Sequence, residues 1–198
     1  MFIQVGLASA VQSEIKLVLV KSPEVLGVET QEQEIEQAKI SGSQVSGLLA
    51  QKQQKLDQKV SFYQSLEGKY KKLKEKEAKI SRLVSYLKRQ GSPIATYGYA
   101  KQIIDAAEAN GADYRIVVAI MGVESGFCRV NVLKYNCFGY LNKVQYSGFT
   151  EALAKLVPRI SREYAKPYGT NFKALAKAYG MINFEYHSGR LATFYSAL

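Results

Sequence analysis

Apolar residues recur along this 198-residue chain with helical spacing rather than strand spacing. Between Ile116 and Phe127, the residues Val117, Ile120, Met121, Glu124 and Cys128 fall at the i, i+3, i+4, i+7 positions of one helix face. Asp113 is placed to cap the start of that helix and Gly126 to end it. Upstream, Ser92 as N-cap with Pro93 at the first helical position opens a helix that lines up Tyr99, Ala100, Ile103, Ile104 and Ala107 and stops at Asn110-Gly111. Downstream, Tyr140 to Ser147 reads as loop. Thr150 then caps a helix with Phe149, Leu153, Leu156, Val157, Ile160 and Tyr164 at core spacing, kinked at Pro158. A turn at Pro167-Tyr-Gly169 precedes a short helix capped by Asn171 and carrying Leu175 and Tyr179. Ser188 caps a last helix that buries Leu191, Phe194, Tyr195 and Leu198. No stretch sustains period-two alternation, so residues 91–198 read as an all-α domain of five or six helices around one core.

A different repeat precedes this domain. Ile35, Gly42, Leu49, Leu56, Tyr63, Tyr70, Glu77 and Val84 form one series of period seven. Ala38, Val45, Lys52, Lys59, Leu66, Leu73, Ile80 and Leu87 form a second, offset by three. A heptad seam of this length marks a coiled coil rather than a globular helix. Gly42, within Ser41-Gly-Ser43, and the seam lysines Lys52 and Lys59 weaken its first half. A break or hairpin near Gly42, a parallel dimer and a helix that docks on a partner all stay open. The expected organisation is an N-terminal segment over 1–30, a coiled-coil helix over 31–90 and a helical domain over 91–198, parted at Gln90-Gly-Ser-Pro93. Within the first segment, Ile15-Lys-Leu-Val-Leu-Val20 is a short apolar run that fits either strand or helix.

Composition then narrows the setting. The formal charge of +10 favours an anionic partner: nucleic acid, a membrane surface or an acidic wall polymer. Residues 1–36 are acidic, whereas Lys69, Lys71, Lys72, Lys74, Lys76 and Lys79 cluster on the long helix. Such a run is most often a solvated face, and without a recognition motif it does not point to nucleic acid. No run of about 18 apolar residues suggests a membrane span. The two cysteines, Cys128 and Cys137, flank a short loop, and the one histidine, His187, is too distant in sequence for a zinc set. An even pair across a short loop suits a disulfide worth roughly 2–3 kcal/mol on the loop-entropy model and an oxidising, extracytoplasmic compartment; two reduced, buried thiols are the alternative. Ala8-Ser-Ala10 has the A-x-A form of a signal-peptide cleavage site, but a basic n-region and a longer apolar core are missing. Either Met1 lies inside a longer signal peptide or the match is accidental.

Glu124 is the residue that core packing does not explain. A carboxyl on an apolar stripe must be paired, protonated or used. Arg115 and Arg129 are near enough in sequence to pair it, which is the plainer reading. Burial and the negative end of the helix dipole both disfavour the anion, and together they would keep the carboxyl protonated near neutral pH, as a general acid requires. The domain's other acids, Asp105, Glu108, Asp113, Glu151, Glu163 and Glu185, fall mostly on polar faces or at caps. None is a clear second catalytic group, and Glu185 is the best fallback for a two-carboxyl hydrolase.

Three strings extend the picture: Ala109-Asn-Gly-Ala-Asp-Tyr-Arg-Ile116, Glu124-Ser-Gly-Phe127 at a helix end, and Asn136-Cys-Phe-Gly139 after a short loop. Together they resemble the lysozyme-like superfamily, in particular its bacterial lytic transglycosylase and glucosaminidase branch, over roughly residues 91 to 198. The resemblance implies a lysozyme-like helical domain that cuts the β-1,4 bond between N-acetylmuramic acid and N-acetylglucosamine in peptidoglycan glycan strands, with no cofactor and no metal. It implies Glu124 as the single acid and then base, with the substrate's N-acetyl group and 6-hydroxyl replacing a second carboxylate and the water. It implies substrate-binding roles for Ser125, Asn136, Gly139 and Tyr179. Ser125 also reads as an ordinary helix-terminal serine and Tyr179 as a core aromatic. Tyr140, with Tyr135, Phe138 and Tyr146, is available to stack on sugar rings. Gly139-Tyr-Leu-Asn142 and Ala178-Tyr-Gly180 depart from the family's usual Gly-Leu-Met-Gln and Ala-Tyr-Asn. That keeps open a coiled-coil scaffold, self-associating or bound to an envelope protein, whose helical domain binds glycan or a partner without cutting. His187 reads as a surface loop residue.

Overall fold

A computed structural model describes residues 42–131, 133–140 and 144–198. The segment 1–30, the first heptads and Asn142 lie outside them. All regular structure among the described residues is helical, and no strand occurs there. The chain divides into two compact units, Met1–Ser65 and Leu66–Leu198. Helix α1 spans Gly42–Arg89. In the first unit its seam positions Leu49, Leu56 and Tyr63 are exposed, as are Leu48, Val60 and Phe62. Lys52 and Lys59 do not interrupt the helix. Among the described residues no helix is long and apolar enough to cross a membrane.

In the second unit, α1 changes character along its length. Leu66, Tyr70 and Leu73 remain exposed, whereas Ile80, Leu83, Val84, Tyr86 and Leu87 are buried. Leu83 and Tyr86 widen the two-position seam into the broad apolar stripe of a globular helix. The last turns of α1, assigned by pattern to a rod, therefore belong to the core of the helical unit. Lys79 pairs with Glu108 at 2.6 Å, Lys76 pairs with Asp105, and the Tyr97 hydroxyl donates to Glu77 at 2.7 Å.

Helix α2 spans Tyr97–Ala109, and its N-cap is Thr96 rather than Ser92. Gly91, at φ +68°, ends α1, and fully buried Ile94 pins the intervening turn, so the chain re-enters helix only after it. Helix α3 (Tyr114–Ser125) is capped by Asp113 and ended by left-handed Gly126, and it is buried along most of its length. Helix α4 (Phe149–Ile160) starts after Gly148, not at a Thr150 cap. It continues through Pro158 into a π-helical turn, Ser161–Ala165, and a final turn α5, Lys166–Tyr168. Pro158 has no N–H for the carbonyl four residues back, and the ladder widens just beyond it instead of breaking. Helix α6 (Phe172–Tyr179) carries the expected Asn171 cap. Helix α7 (Phe184–Ser196) begins at an Asn183 cap, earlier than expected, because Ser188 lies within it and donates to the Glu185 carbonyl at 2.8 Å. Leu191 and Leu198 are buried, whereas Phe194 and Tyr195 are only half-buried. Helices α3 and α7 meet at Gly122, where a Cβ would stand 2.5 Å from the Phe127 ring and 2.8 Å from Phe194. Only a glycine admits that approach.

Candidate active site

The last turn of α3 presents Glu124, and the backbone beyond it is unusual. Gly126, Phe127 and Cys128 take positive φ values of 54°, 62° and 67° in succession. Phe127 and Cys128 pay for a conformation that side chains disfavour, of order 1–3 kcal/mol each, so the surroundings must impose it. Three features do so. Cys128 is joined to Cys137 in a disulfide. Phe127 is buried against Tyr86 and Phe194. The Ser125 hydroxyl accepts from the Cys128 N–H at 2.8 Å and lies 2.7 Å from the Cys137 carbonyl.

Ser125 thus ties backbone groups together. It is 4% exposed and its hydroxyl is fully engaged, also touching the Met121 carbonyl at 3.0 Å. Asn136 is likewise 3% exposed and works within the chain. Its side chain accepts from the Phe138 N–H at 3.1 Å and donates to the Tyr140 carbonyl at 2.7 Å, holding residues 136–140 in a tight turn. Both residues shape the wall without facing the cleft.

That turn delivers Gly139 against the Glu124 carboxyl. A Cβ on Gly139 would lie 2.5 Å from Glu124 Oε2, and the residue has φ +60°. The conformation favours glycine, and any side chain here would press on the end of the Glu124 side chain. Tyr140 follows, its hydroxyl donating to Glu163 at 2.7 Å and its ring covered by the Arg159 guanidinium at 5.0 Å. The hydrogen bond to Glu163 pushes the Tyr140 phenol up to about 12. Tyr164, on the π-helical turn, links Tyr140 and Tyr179, with ring centroids 5.8 and 4.7 Å away. The Tyr179 hydroxyl donates to the Phe138 carbonyl at 2.7 Å, fastening the end of α6 to the Gly139 turn. Burial, and then the proximity of Glu124, hold Tyr179 well above the usual phenol range, so it stays neutral. Of the other aromatics considered for sugar stacking, Phe138 and Tyr146 are buried, and Tyr135 packs on Phe149 at 5.0 Å.

Glu124, Gly139, Tyr140 and Tyr179 line one cleft of about 490 Å³, together with Val123, Gly180, Met181, Ile182 and His187. Glu124 is half-buried there, and no hydrogen bond or ion pair reaches its carboxyl among the described residues. Arg129 turns instead to the Gly126 carbonyl at 2.9 Å, and Arg115 binds Asp113 at 2.6 Å. Burial pushes the Glu124 carboxyl up to about 7. The other acids of residues 91–198 are all paired: Asp105 with Lys76 and Lys101, Glu108 with Lys79, Asp113 with Arg115, Glu151 with Lys155, Glu163 with Arg159 and Glu185 with Lys173. Glu185 is exposed and does not line the cleft, so it supplies no second carboxyl to the site. A depression of about 540 Å³ beside α2 is lined by Lys101 and Asp105, which pair with each other, and by Gln102, which donates to the Thr150 carbonyl at 2.9 Å. No cluster of metal-ligating side chains occurs among the described residues.

The reading of His187 as a loop residue is corrected: it sits on α7, half-buried, in the wall of the Glu124 cleft. Its signal was present in the sequence. Taking Asn183 as the cap places Phe184, His187, Leu191, Phe194 and Leu198 on one helical stripe. Comparison of the chain with protein-family models, with curated proteins and with solved structures finds no match. The residues of the cleft therefore carry the functional reading by themselves.

Proposed function

We propose that the unit Leu66–Leu198 is a lysozyme-like, peptidoglycan-cleaving glycosidase of the lytic transglycosylase kind, with Glu124 as its single general acid and base. One observation carries this reading. Among the described residues, Glu124 alone of the acids of residues 91–198 has no partner, and it faces an open cleft with its proton held up to about 7 by burial.

A carboxyl in that state donates its proton to the glycosidic oxygen as the bond to the anomeric carbon breaks. The resulting carboxylate then takes the proton of the same sugar's 6-hydroxyl, whose oxygen bonds the anomeric carbon and closes an anhydro ring. The N-acetyl group shields the positive centre meanwhile, so no second carboxylate is needed. Gly139 keeps the wall beside the carboxyl free of a side chain, and neutral Tyr179 braces that wall. The disulfide suits an oxidising, extracytoplasmic setting, and the charge of +10 suits the anionic polymers of a cell wall. The exposed seam of α1 at Leu49, Leu56 and Tyr63 suits self-association or docking on an envelope protein.

The test is digestion of purified sacculi by the full chain, with soluble products identified by mass spectrometry. Wild type should release anhydro-ended muropeptides, and Glu124→Gln should release about 10²- to 10⁴-fold less. Equal release by the two forms overturns the assignment. Products with reducing ends keep Glu124 as the acid but make the reaction hydrolytic. Retention on sacculi without product from either form leaves a glycan-binding domain.

A further inference from the structure

Among the described residues, Glu124 is not the only polar side chain of the cleft that lacks a partner. His187 lines the same space, and its Nδ1 is buried without a hydrogen-bond partner among the described residues. Its near neighbour Tyr186 offers a ring edge at 5.3 Å rather than a polar atom. A buried nitrogen left unpaired is unfavourable. With Nδ1 sealed, Nε2 is the ring nitrogen that can meet a ligand. Nε2 also makes no hydrogen bond within the described chain but is not sealed off as Nδ1 is. The cleft wall therefore holds an imidazole with no hydrogen-bond partner of its own among the described residues. The same cleft is also lined by Met181 and Ile182, the latter fully exposed.

An imidazole N–H in a cleft also lined by apolar side chains is complementary to a group with one carbonyl acceptor and one methyl. We propose that His187 is a specificity-determining residue that donates Nε2–H to the carbonyl oxygen of an acetamido group on the glycan, while Met181 and Ile182 receive its methyl. This rests on the cleft being a glycan site, as argued above, and adds to it a residue that selects N-acetylated sugars.

Binding is measured on the full chain carrying Glu124→Gln, so that no turnover intervenes, with chitopentaose and its fully de-N-acetylated counterpart as probes. His187→Ala should weaken binding of chitopentaose about 3- to 10-fold, the worth of one neutral hydrogen bond. It should leave the de-N-acetylated oligomer unchanged. His187→Gln sets an amide N–H near the former Nε2 and should restore most of the affinity, whereas His187→Asn, which mimics Nδ1 instead, should not. Unchanged binding of chitopentaose by His187→Ala, an equal loss for both oligomers, or equal rescue by Gln and Asn overturns the proposal. If wild type cleaves sacculi and any of these results is found, only the role of His187 falls. If neither cleavage nor binding of either oligomer occurs, the glycan reading falls and takes this one with it.

Discussion

Helix α3 carries an acid at each end, and the two are in opposite states. Asp113, at the start, accepts from the Arg115 N–H at 2.9 Å, from the Arg115 guanidinium at 2.6 Å and from the Tyr195 hydroxyl at 3.2 Å. Burial alone would raise its pKa, but Arg115 overrides that and holds the carboxyl below the ordinary range. Glu124, in the last turn, is also half-buried but has no partner among the described residues, and burial raises its pKa. Burial does not decide the outcome, since both acids experience it. The position of two arginines does: Arg115 turns to Asp113, and Arg129 turns to a backbone carbonyl. Asp113 also sits where the helix dipole favours an anion, and Glu124 where it does not. One end of α3 thus uses its charge to hold the helix, and the other keeps its proton up to about 7, as the proposed acid requires.

The largest test of that contrast is activity. Glu124→Gln should lower muropeptide release by about 10²- to 10⁴-fold, whereas Asp113→Asn, which still caps α3, should stay within a few-fold of wild type. Because the acid must be protonated, wild-type kcat/KM should fall as pH rises through about 7. A pH profile flat from 5 to 9 would show that some other group supplies the proton.

Stability gives the next largest effect, with opposite signs at the two ends. Native Glu124 keeps its proton up to about 7, whereas the unfolded chain gives it up near 4.5. Stability therefore falls as pH rises across that window, by roughly 3 kcal/mol in full. Glu124→Gln removes this penalty, so urea unfolding should find the variant more stable at pH 8 and little changed at pH 4. Asp113, with its pKa lowered, contributes in the reverse sense: its stabilisation is present above about 3.8 and is lost as pH falls through the native value. A wild-type protein equal to Glu124→Gln at pH 8 would mean that the carboxyl is not desolvated.

Gly139→Ala follows, acting on the partnerless end alone. The new methyl would fall 2.5 Å from Glu124 Oε2 at a residue with φ +60°. About 1–2 kcal/mol of stability and at least tenfold in kcat should be lost, as the carboxyl is driven off its position. Retained kcat would mean that Gly139 is needed for the turn and not for access to the acid.

The helix-level pattern was legible because it rests on local signals. The Asp113 and Asn171 caps and the Gly126 stop each follow from a side chain acting on its own backbone within a few residues. So did the exceptional position of Glu124, a carboxyl on an apolar stripe, and the pairing of Cys128 with Cys137. What periodicity could not supply was depth and direction. Heptad spacing is the same for an exposed seam at Leu66 and a buried one at Ile80, and off-seam apolar residues accompany both, Val60 and Phe62 on one side and Leu83 and Tyr86 on the other. Ser125 and Asn136 belong to strings that line clefts elsewhere, yet here their polar atoms close on backbone groups of a strained loop that no motif encodes. His187 was missed through a cap assigned to Ser188, five residues too late.

The smallest effect isolates the structural end of α3. Asp113→Ala removes the acceptor for the Arg115 N–H and the partner of its guanidinium, and loss of an N-cap costs about 1 kcal/mol. The ion pair adds little, since both side chains remain about one-third exposed. Asp113→Asn keeps the cap and should cost less still, so the gap between the two variants measures the cap apart from the charge. Neither should move the alkaline limb of the pH profile, because Asp113 lies a full helix length from the cleft acid. If Asp113→Asn shifts that limb by as much as one pH unit, the two ends of α3 are electrostatically coupled. The pKa of Glu124 would then be a property of the whole helix and not of its local burial.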